Sequence, residues 1–302
     1  MSEKRFDGRV AVITGAGRGL GESYARLLAS LGAKVVVNDL GAAIRGEDPD
    51  QSVAQGVVDA IRADGGEAIA NGDSVATPEG GKAIVQAALD EWGKIDILIH
   101  NAGNVRYGTI RDIPYEDFKA VLDVHLMGAF HVVQPAFGPM CDAGYGRIVL
   151  TSSIGGFYGN KRCVNYGVSK SGMIGLNNIA ALEGEEHGVK SNLILPGAVT
   201  RMADGLDTSQ YPPMGPELVA PVVAWLCHED CPITGEAISS IGGRISRLFV
   251  AETDGIYRPS WTVDEVAEVC EEIFDKEDLH DFGLNGYLDH LGYSFAMAKG
   301  QA

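Results

Sequence analysis

Residues Arg9 to Thr14 (R-V-A-V-I-T) read as a buried strand that runs straight into a glycine turn, Gly15-Ala16-Gly17-Arg18-Gly19-Leu20-Gly21. An amphipathic helix from about Leu20 to Leu31 follows at once. A strand entering a helix through so tight a turn is how a strand–helix–strand crossover begins, so the sequence points to a parallel sheet covered by helices.

The alternation continues along the chain. Strands are predicted at Lys34 to Asp39, Glu67 to Asn71, Lys94 to His100, Arg147 to Ser152 and Ser191 to Leu195. Helices are predicted from about Ser52 to Ala63, Pro78 to Trp92, Tyr115 to Met140, around Tyr166 up to Glu186, and from Pro216 to His228. No linker, charge block or repeat divides the 302 residues, and 40 glycines suit many tight turns. The expectation is one α/β domain over residues 1–243, a doubly wound parallel sheet with helices on both faces. A C-terminal extension, 244–302, packs on the same domain. In that extension Arg247 to Arg258 resembles a hairpin turning at Asp254-Gly255, and Thr262 to Glu265 resembles a capping box. The extension either covers a substrate mouth or forms a subunit contact. The polar loop Gly41 to Gln51 either folds over a ligand or stands in water.

Composition removes several function classes. A formal net charge of -17 argues against nucleic acid, whose binding requires clustered cations. No apolar run approaches the ~18 residues of a membrane span. The five cysteines, Cys141, Cys163, Cys227, Cys231 and Cys270, are odd in number and scattered, no signal-peptide pattern opens the chain, and the Gly300-Gln301-Ala302 end is not a peroxisomal Ser-Lys-Leu address. These observations predict free thiols in a cytoplasmic setting. Cys227 and Cys231 flank His228 at one-turn spacing, but the second pair that a metal site needs is missing, so no metal is expected.

The glycine turn fits T-G-x-x-x-G-x-G. Its glycines, Gly15, Gly19 and Gly21, let backbone amides approach a pyrophosphate, which then sits at the positive end of the next helix. Asp39 closes the second strand, where a carboxylate accepts hydrogen bonds from the ribose 2′-hydroxyl of NAD and repels the 2′-phosphate of NADP. Arg18 is the counter-indication, since it could pair with that phosphate. NAD is therefore the expected cofactor.

Tyr166 and Lys170 are spaced i, i+4 on one predicted helical face, so phenol and ammonium can converge. A free phenol, with a pKa near ~10, is a poor base, and a nearby ammonium is expected to lower the Tyr166 pKa toward the working range. Tyr166 is then an acid/base for a secondary alcohol or ketone. Ser153, thirteen residues upstream of Tyr166, is placed to hydrogen-bond the substrate oxygen, with Ser152 as its neighbouring rival. Each residue alone has a bland reading, as a helix cap or a solvated face.

In order along the chain, T-G-x-x-x-G-x-G, Asn101-Ala102-Gly103, Ser153, Tyr166-x-x-x-Lys170 and Pro196-Gly197 resemble the short-chain dehydrogenase/reductase family over about Phe6 to Gly243. The resemblance implies a Rossmann-type fold and a homodimer or homotetramer built across the long helices. It implies Asp73 and Val75 flanking the adenine, and Asn101, Ala102 and Gly103 lining the adenosine ribose. Gly15, Arg18, Gly19, Leu20 and Gly21 cradle the pyrophosphate, Lys170 bonds the nicotinamide ribose, and Pro196 and Gly197 form a wall beside the nicotinamide.

Two departures stand out. His125 takes the place of the asparagine that helps hold a relay water, so it either anchors that relay or is a satisfied buried histidine. Thr200 is followed by Arg201 where a threonine is usual, which leaves the cofactor amide contact open. A tighter likeness joins the chain to the (3R)-hydroxyacyl-CoA dehydrogenase units of the peroxisomal multifunctional enzymes of type 2, also called 17β-hydroxysteroid dehydrogenases of type 4. It rests on Val37 to Gly41, Val124-His125-Leu126, Gly146 to Val149, Tyr158-Gly159-Asn160, Arg201-Met202 and Val219 to Glu229. It implies a stand-alone dehydrogenase for an acyl-CoA or a steroid substrate. Arg106, Arg111, Lys161, Arg162, Arg201, Arg244 and Arg247 are candidate phosphate partners, or scattered solubilising charges.

Overall fold

Apolar β-branched runs that are buried along their whole length build the centre of the molecule, seen here in a computed structural model that describes residues 4–43, 45–47, 49–200, 210–284 and 286–300. The strands are β1 (Val10–Thr14), β2 (Lys34–Asn38), β3 (Glu67–Asn71), β4 (Ile97–His100), β5 (Gly146–Thr151), β6 (Val189–Gly197), β7 (Ala237–Ile241) and β8 (Arg244–Leu248). They lie side by side in the order β3-β2-β1-β4-β5-β6-β7-β8, and every pairing from β3 through β7 is parallel. The order reverses between β1 and β4, and a doubly wound sheet opens its ligand crevice at the carboxyl ends of such a pair.

Alternate side chains of each strand face opposite helical layers. Ile13, Val37, Ile99, Val149 and Ile194 share one core with α1 (Gly19–Ser30), α2 (Ser52–Ala63) and α8 (Ala220–Cys227). The other face carries α3 (Pro78–Trp92), α4 (Tyr115–Leu122), α5 (Gly128–Asp142), α6 (Ile154–Tyr158) and α7 (Val164–Gly184). Each fully buried Val, Ile or Leu contributes roughly 1.5–3 kcal/mol.

The single helix expected from Tyr115 to Met140 is broken in its hydrogen-bond pattern by a π-turn, Asp123–Met127, between α4 and α5. The continuous run Tyr115–Asp142 is 28 residues long and apolar enough to cross a membrane by length and composition, which corrects the expectation that no such run exists. Here it packs against α3 and α7 as part of the helical layer.

The chain separates into two compact units between Arg247 and Leu248. β7 turns through Gly242 and Gly243, with φ of 56° and 81°, into β8 at the sheet edge; consecutive left-handed residues are what a two-residue hairpin requires. The hairpin expected at Asp254-Gly255 does not form. Arg247 belongs to β8, while Glu252 and Thr253 (β9, Glu252–Thr253) pair antiparallel with His280 and Leu279 (β10, Leu279–His280). The expected capping box is present: Thr262 opens α9 (Val263–Glu268), and Glu265 closes the reciprocal pair. The second unit continues through α10 (Cys270–Ile273) to α11 (Gly286–Ala298).

At the amino ends of the strands, opposite the crevice, Arg147 is a buried cation with no carboxylate partner among the described residues. Its guanidinium donates to the carbonyls of Gly146 (2.8 Å), Gly188 (3.1 Å), His228 (3.3 Å) and Glu229 (3.2 Å) and lies 4.4 Å from the Tyr145 ring centroid. These bonds tie the start of β5 to the segments after α7 and α8. Replacing Arg147 by Met should destabilise the fold by about 2–4 kcal/mol in urea unfolding, because several buried carbonyls lose their donor, while dinucleotide affinity stays within about twofold.

Candidate active site

The glycine turn is held from three sides. Asp39, at the end of β2, accepts the Gly17 amide through Oδ2 (2.8 Å) and the Gly41 amide through Oδ1 (2.7 Å). Asn101 Nδ2 donates to the Gly15 carbonyl (3.0 Å). A Cβ on Gly21 would lie 2.1 Å from that same carbonyl, so only glycine lets α1 begin this close to the turn. The Arg18 side chain makes no cap at the start of α1, and Gly19 and Leu20 line a cleft there. The first-turn amides and the positive end of the helix therefore remain for an anion.

Thr14, the last residue of β1, organises the other side. Its Oγ1 accepts the amides of Asn101 (3.1 Å) and Ala102 (3.2 Å), which leaves its own proton to donate to His100 Nδ1 (3.0 Å). With Nδ1 accepting, the ring proton sits on Nε2 and donates to the His125 carbonyl (3.0 Å) in the π-turn. Burial, with the Lys170 charge nearby, pushes the His100 pKa down to about 3, so the ring is neutral.

His125 is fully enclosed. Its Nε2 lies 2.9 Å from the Asn104 carbonyl oxygen and 3.1 Å from the Asn104 amide nitrogen, while its Nδ1 has no partner among the described residues. A Cβ on Gly103 would lie 2.6 Å from the ring, and the ring meets Tyr166 edge-on at 5.5 Å between centroids. Burial first, then the Lys170 charge, holds its pKa well below the ordinary histidine value. Asn104 Oδ1 and Thr151 Oγ1 are likewise buried without partners. Three orphaned polar atoms around one cleft are what a polar ligand and its bound water would satisfy.

Tyr166 and Lys170 occupy the first turns of α7. Lys170 is 3% exposed, donates from Nζ to the Thr151 carbonyl (2.5 Å), and sits 5.6 Å from the Tyr166 ring centroid; burial pulls its pKa down to about 7. The expected lowering of the Tyr166 pKa is not found. Burial raises it, and the Ser153 hydroxyl offsets only part of that rise. A lysine whose own charge is disfavoured by burial does little to hold a phenolate. Ser153 also caps α6, accepting the Gly155 amide (3.1 Å), so its cap role and its place beside the phenol coexist. Ser152, its rival, lines the cleft, but its hydroxyl is committed to the Lys170 carbonyl (2.8 Å).

One cavity of about 350 Å³ collects Gly15, Arg18, Gly19, Leu20, Asp39, Asp73, Val75, Asn101, Ala102, Gly103, His125, Tyr166, Lys170 and Pro196. Gly21 stands behind the turn, and Gly197 packs on Ile241 rather than lining the cleft. Ser153 borders it through Tyr166. Thr200 lines the cleft, whereas Arg201 and Met202 lie outside the described residues. The loop after β2 folds over the site: Ala42, Ala43 and Gly46 line it, and Arg106 donates to the Arg45 carbonyl (3.0 Å). Asn38, Ser74 and Asn104 also line the cleft without having been singled out by sequence; Asn38 Nδ2 bonds Asn71 Oδ1 (2.8 Å) and the Asp73 carbonyl (2.9 Å), fixing Asp73 at the rim. Ser74 and Asn104 lie in loops outside any short motif, and only the folded contacts reveal them.

Away from the cleft, Cys227 and Cys231 are buried in the core, and the His228 ring stacks on Trp225 (6.2 Å). No group of three or more metal-ligating side chains gathers among the described residues.

The two buried neutral histidines make stability depend on pH in a definite direction. Their folded pKa values lie below the unfolded value, so the unfolded chain binds more protons between the two, and stability falls as pH drops below about 6.5. Urea unfolding between pH 6.5 and 5 should lose up to about 1.4 kcal/mol per pH unit for each histidine, and His100→Gln should remove about half of that slope.

A family model described as short chain dehydrogenase matches residues 9–210. The chain is 43% identical over 92% of its length to the peroxisomal multifunctional enzyme type 2 of Drosophila melanogaster, of which it spans 47%. It is also 43% identical over 88% of its length to a putative short-chain type dehydrogenase/reductase of Mycobacterium tuberculosis, of which it spans 94%. Among solved structures, a 7α-hydroxysteroid dehydrogenase complexed with NADH and 7-oxo glycochenodeoxycholic acid superposes with a TM-score of 0.72 at 29% identity, covering 79% of this chain and 95% of that one. The chain thus belongs to the short-chain dehydrogenase/reductase family and is an oxidoreductase acting on CH–OH groups.

Proposed function

We propose that the chain oxidises a (3R)-hydroxyacyl-CoA to the 3-ketoacyl-CoA with NAD. The observation that carries the reading is the single cleft in which a phenol, a buried lysine and a dinucleotide-type glycine turn ending on Asp39 come together. The acyl substrate follows from the likeness to the multifunctional enzymes. A free hydroxysteroid is the second reading, supported by the bile-acid complex of the 7α-hydroxysteroid dehydrogenase.

A bound nicotinamide supplies the hydride acceptor. The first-turn amides of α1 and the glycine turn bind the pyrophosphate, and Arg18 stands at its edge. Each Asp39 oxygen accepts one backbone amide and keeps a lone pair for a ribose hydroxyl. Asp73 and Val75 would flank the adenine, Asn101 to Gly103 would wall the adenosine ribose, and Pro196 would back the nicotinamide, with Gly197 behind it against Ile241. Ser153 donates to the substrate oxygen while Tyr166 receives its proton, and Lys170 holds the nicotinamide ribose. His125, through Nδ1, anchors the water that passes the proton onward.

Because burial raises the Tyr166 pKa, proton donation in ketone reduction is favoured, and alcohol oxidation, which needs the phenolate, should accelerate as pH rises. The family likeness supports a homodimer or homotetramer, and Phe130 of α5 with Ile179 of α7 leaves apolar side chains exposed on the long helices. All five cysteines are free, in keeping with a cytoplasmic location.

Tyr166→Phe should lower the oxidation rate by about 10³-fold or more while NADH binding, read by fluorescence, stays within about threefold; unchanged turnover would remove the phenol from the reaction. Wild-type kcat/KM should favour NAD over NADP by about 10²-fold, and Asp39→Asn should narrow that ratio about tenfold by removing the charge that opposes a 2′-phosphate.

A further inference from the structure

Beyond the cleft, a second and more open cavity of about 830 Å³ is lined by Gly155 and Gly156, which pack against Tyr166 and Lys170. Its lining starts at Gly155, two residues after Ser153, and includes Gly167, the neighbour of Tyr166. The facing wall is the turn from Gly108 to Arg111. Ile110 and Val168 give it apolar surface.

Its charge is the unusual feature. The lining holds Arg111, Lys161 and Arg162 and no carboxylate, in a chain whose formal net charge is -17. All three cations are exposed, and among the described residues none is in an ion pair. Asp112, the nearest acid in sequence, accepts the Thr109 amide and hydroxyl, both at 2.8 Å, and its charge also interacts with Arg162, which leaves Arg111 and Lys161 the less compensated cations. The other described candidate cations are already used: Arg106 pairs with Asp117 at 2.6 Å, Arg247 with Glu236 at 2.6 Å, and Arg244 bonds Ser246 at 3.0 Å. A locally positive hollow set in a globally negative surface attracts anions to one place.

The hollow is also built rather than incidental. Arg162 has a φ of 65°, the sole left-handed non-glycine backbone among the described residues, and its carbonyl accepts the Gly108 amide (3.0 Å). A bridge between Gly108 and Cys163 joins the two walls beside it. An arginine kept in a conformation that glycine would adopt more easily points to a use for its side chain.

We propose that this hollow holds the phosphate-bearing nucleotide end of CoA, with Arg111, Lys161 and Arg162 as its phosphate partners, while the acyl end reaches Ser153 and Tyr166. The assignment rests on the hydroxyacyl-CoA reading given above, so it is tested both with and without turnover. Without turnover, free CoA is titrated into wild type and into the Arg111→Gln/Lys161→Gln double variant by calorimetry. Wild type should bind, and the double variant should bind at least tenfold more weakly; absence of CoA binding by wild type overturns the proposal. Arg162→Gly, which relaxes the backbone and should keep the thermal midpoint, should weaken binding in the same direction.

With turnover, 3-ketobutyryl thioesters of CoA, of N-acetylcysteamine and of an acyl carrier protein are reduced with NADH. The double variant should raise KM for the CoA thioester about tenfold and added salt should raise the wild-type KM for it steeply, with kcat held and the phosphate-free N-acetylcysteamine thioester unchanged within twofold. Equal losses on the CoA and N-acetylcysteamine thioesters, or a loss confined to the carrier-protein thioester, overturn it. A wild type that binds CoA but reduces only free ketosteroids instead sinks the substrate reading and leaves the hollow as an anion site.

Discussion

The hydroxyl of Thr14 is the group on which the arrangement of the cleft depends. It accepts two half-buried amides just after β4 and donates to His100, which in turn donates to the π-turn carbonyl of His125. Every proton in that chain has one possible direction, because the amides can only donate and the buried ring is neutral. The strands that flank the topological switch are thereby locked to each other at the point where a ligand must lie across them, and the helix carrying His125 is locked to both. Removing any member would leave a buried donor or acceptor unmatched, which costs more than the bond itself contributes.

Burial then sets the electrostatic character of the site. Lys170, His100 and His125 are all pulled toward their neutral forms, and the Tyr166 phenol is pushed toward its protonated form. All four shifts have the same leading cause, the removal of charge-stabilising water. A dry site of this kind favours reactions that pass a proton between neutral partners, and it amplifies any charge that develops next to an aligned donor such as Ser153. The neighbouring hollow is the opposite environment: open, cationic and solvated. A substrate reaching from one to the other would have its charge held in water and its reacting carbon held away from it.

Much of the frame was legible from periodicity. Strand runs such as Val10 to Thr14 and Lys34 to Asn38 are apolar enough to declare themselves, and the glycine turn between β1 and α1 marks the crossover. The features that escaped were those decided by contacts distant in sequence. No local pattern distinguishes the π-turn at Asp123–Met127 from ordinary helix, because it depends on how His125 meets Gly103 and Tyr166. Gly242-Gly243 and Asp254-Gly255 are both plausible two-residue turns, and the choice fell to the first because β7 offers β8 an open sheet edge. The loop after β2 was undecided from its composition alone; the bond from Arg106 to Arg45 brings it over the cleft. The phenol–lysine relation was misjudged for a similar reason, since i, i+4 spacing fixes a shared face but says nothing of how deeply that face is buried.

Asp39 shows why selectivity and architecture are hard to separate here. The same carboxylate that would face a ribose hydroxyl also fastens Gly17 and Gly41, so it anchors the turn that would bind the pyrophosphate. A Cβ on Gly17 would lie 2.8 Å from Asp39 Oδ2, which means that the turn was drawn in until carboxylate and backbone touch. Replacing the acid by a small residue would therefore do two things at once, admitting a phosphate and loosening its cradle. Asparagine differs: it keeps one acceptor oxygen but presents an amide nitrogen to one of the two backbone donors, so part of the anchoring survives without the charge. For this reason a change of cofactor preference in this fold is expected to require a second cation near Arg18 as well as loss of the acid, since a turn held by fewer bonds gains nothing from a ligand it can no longer position.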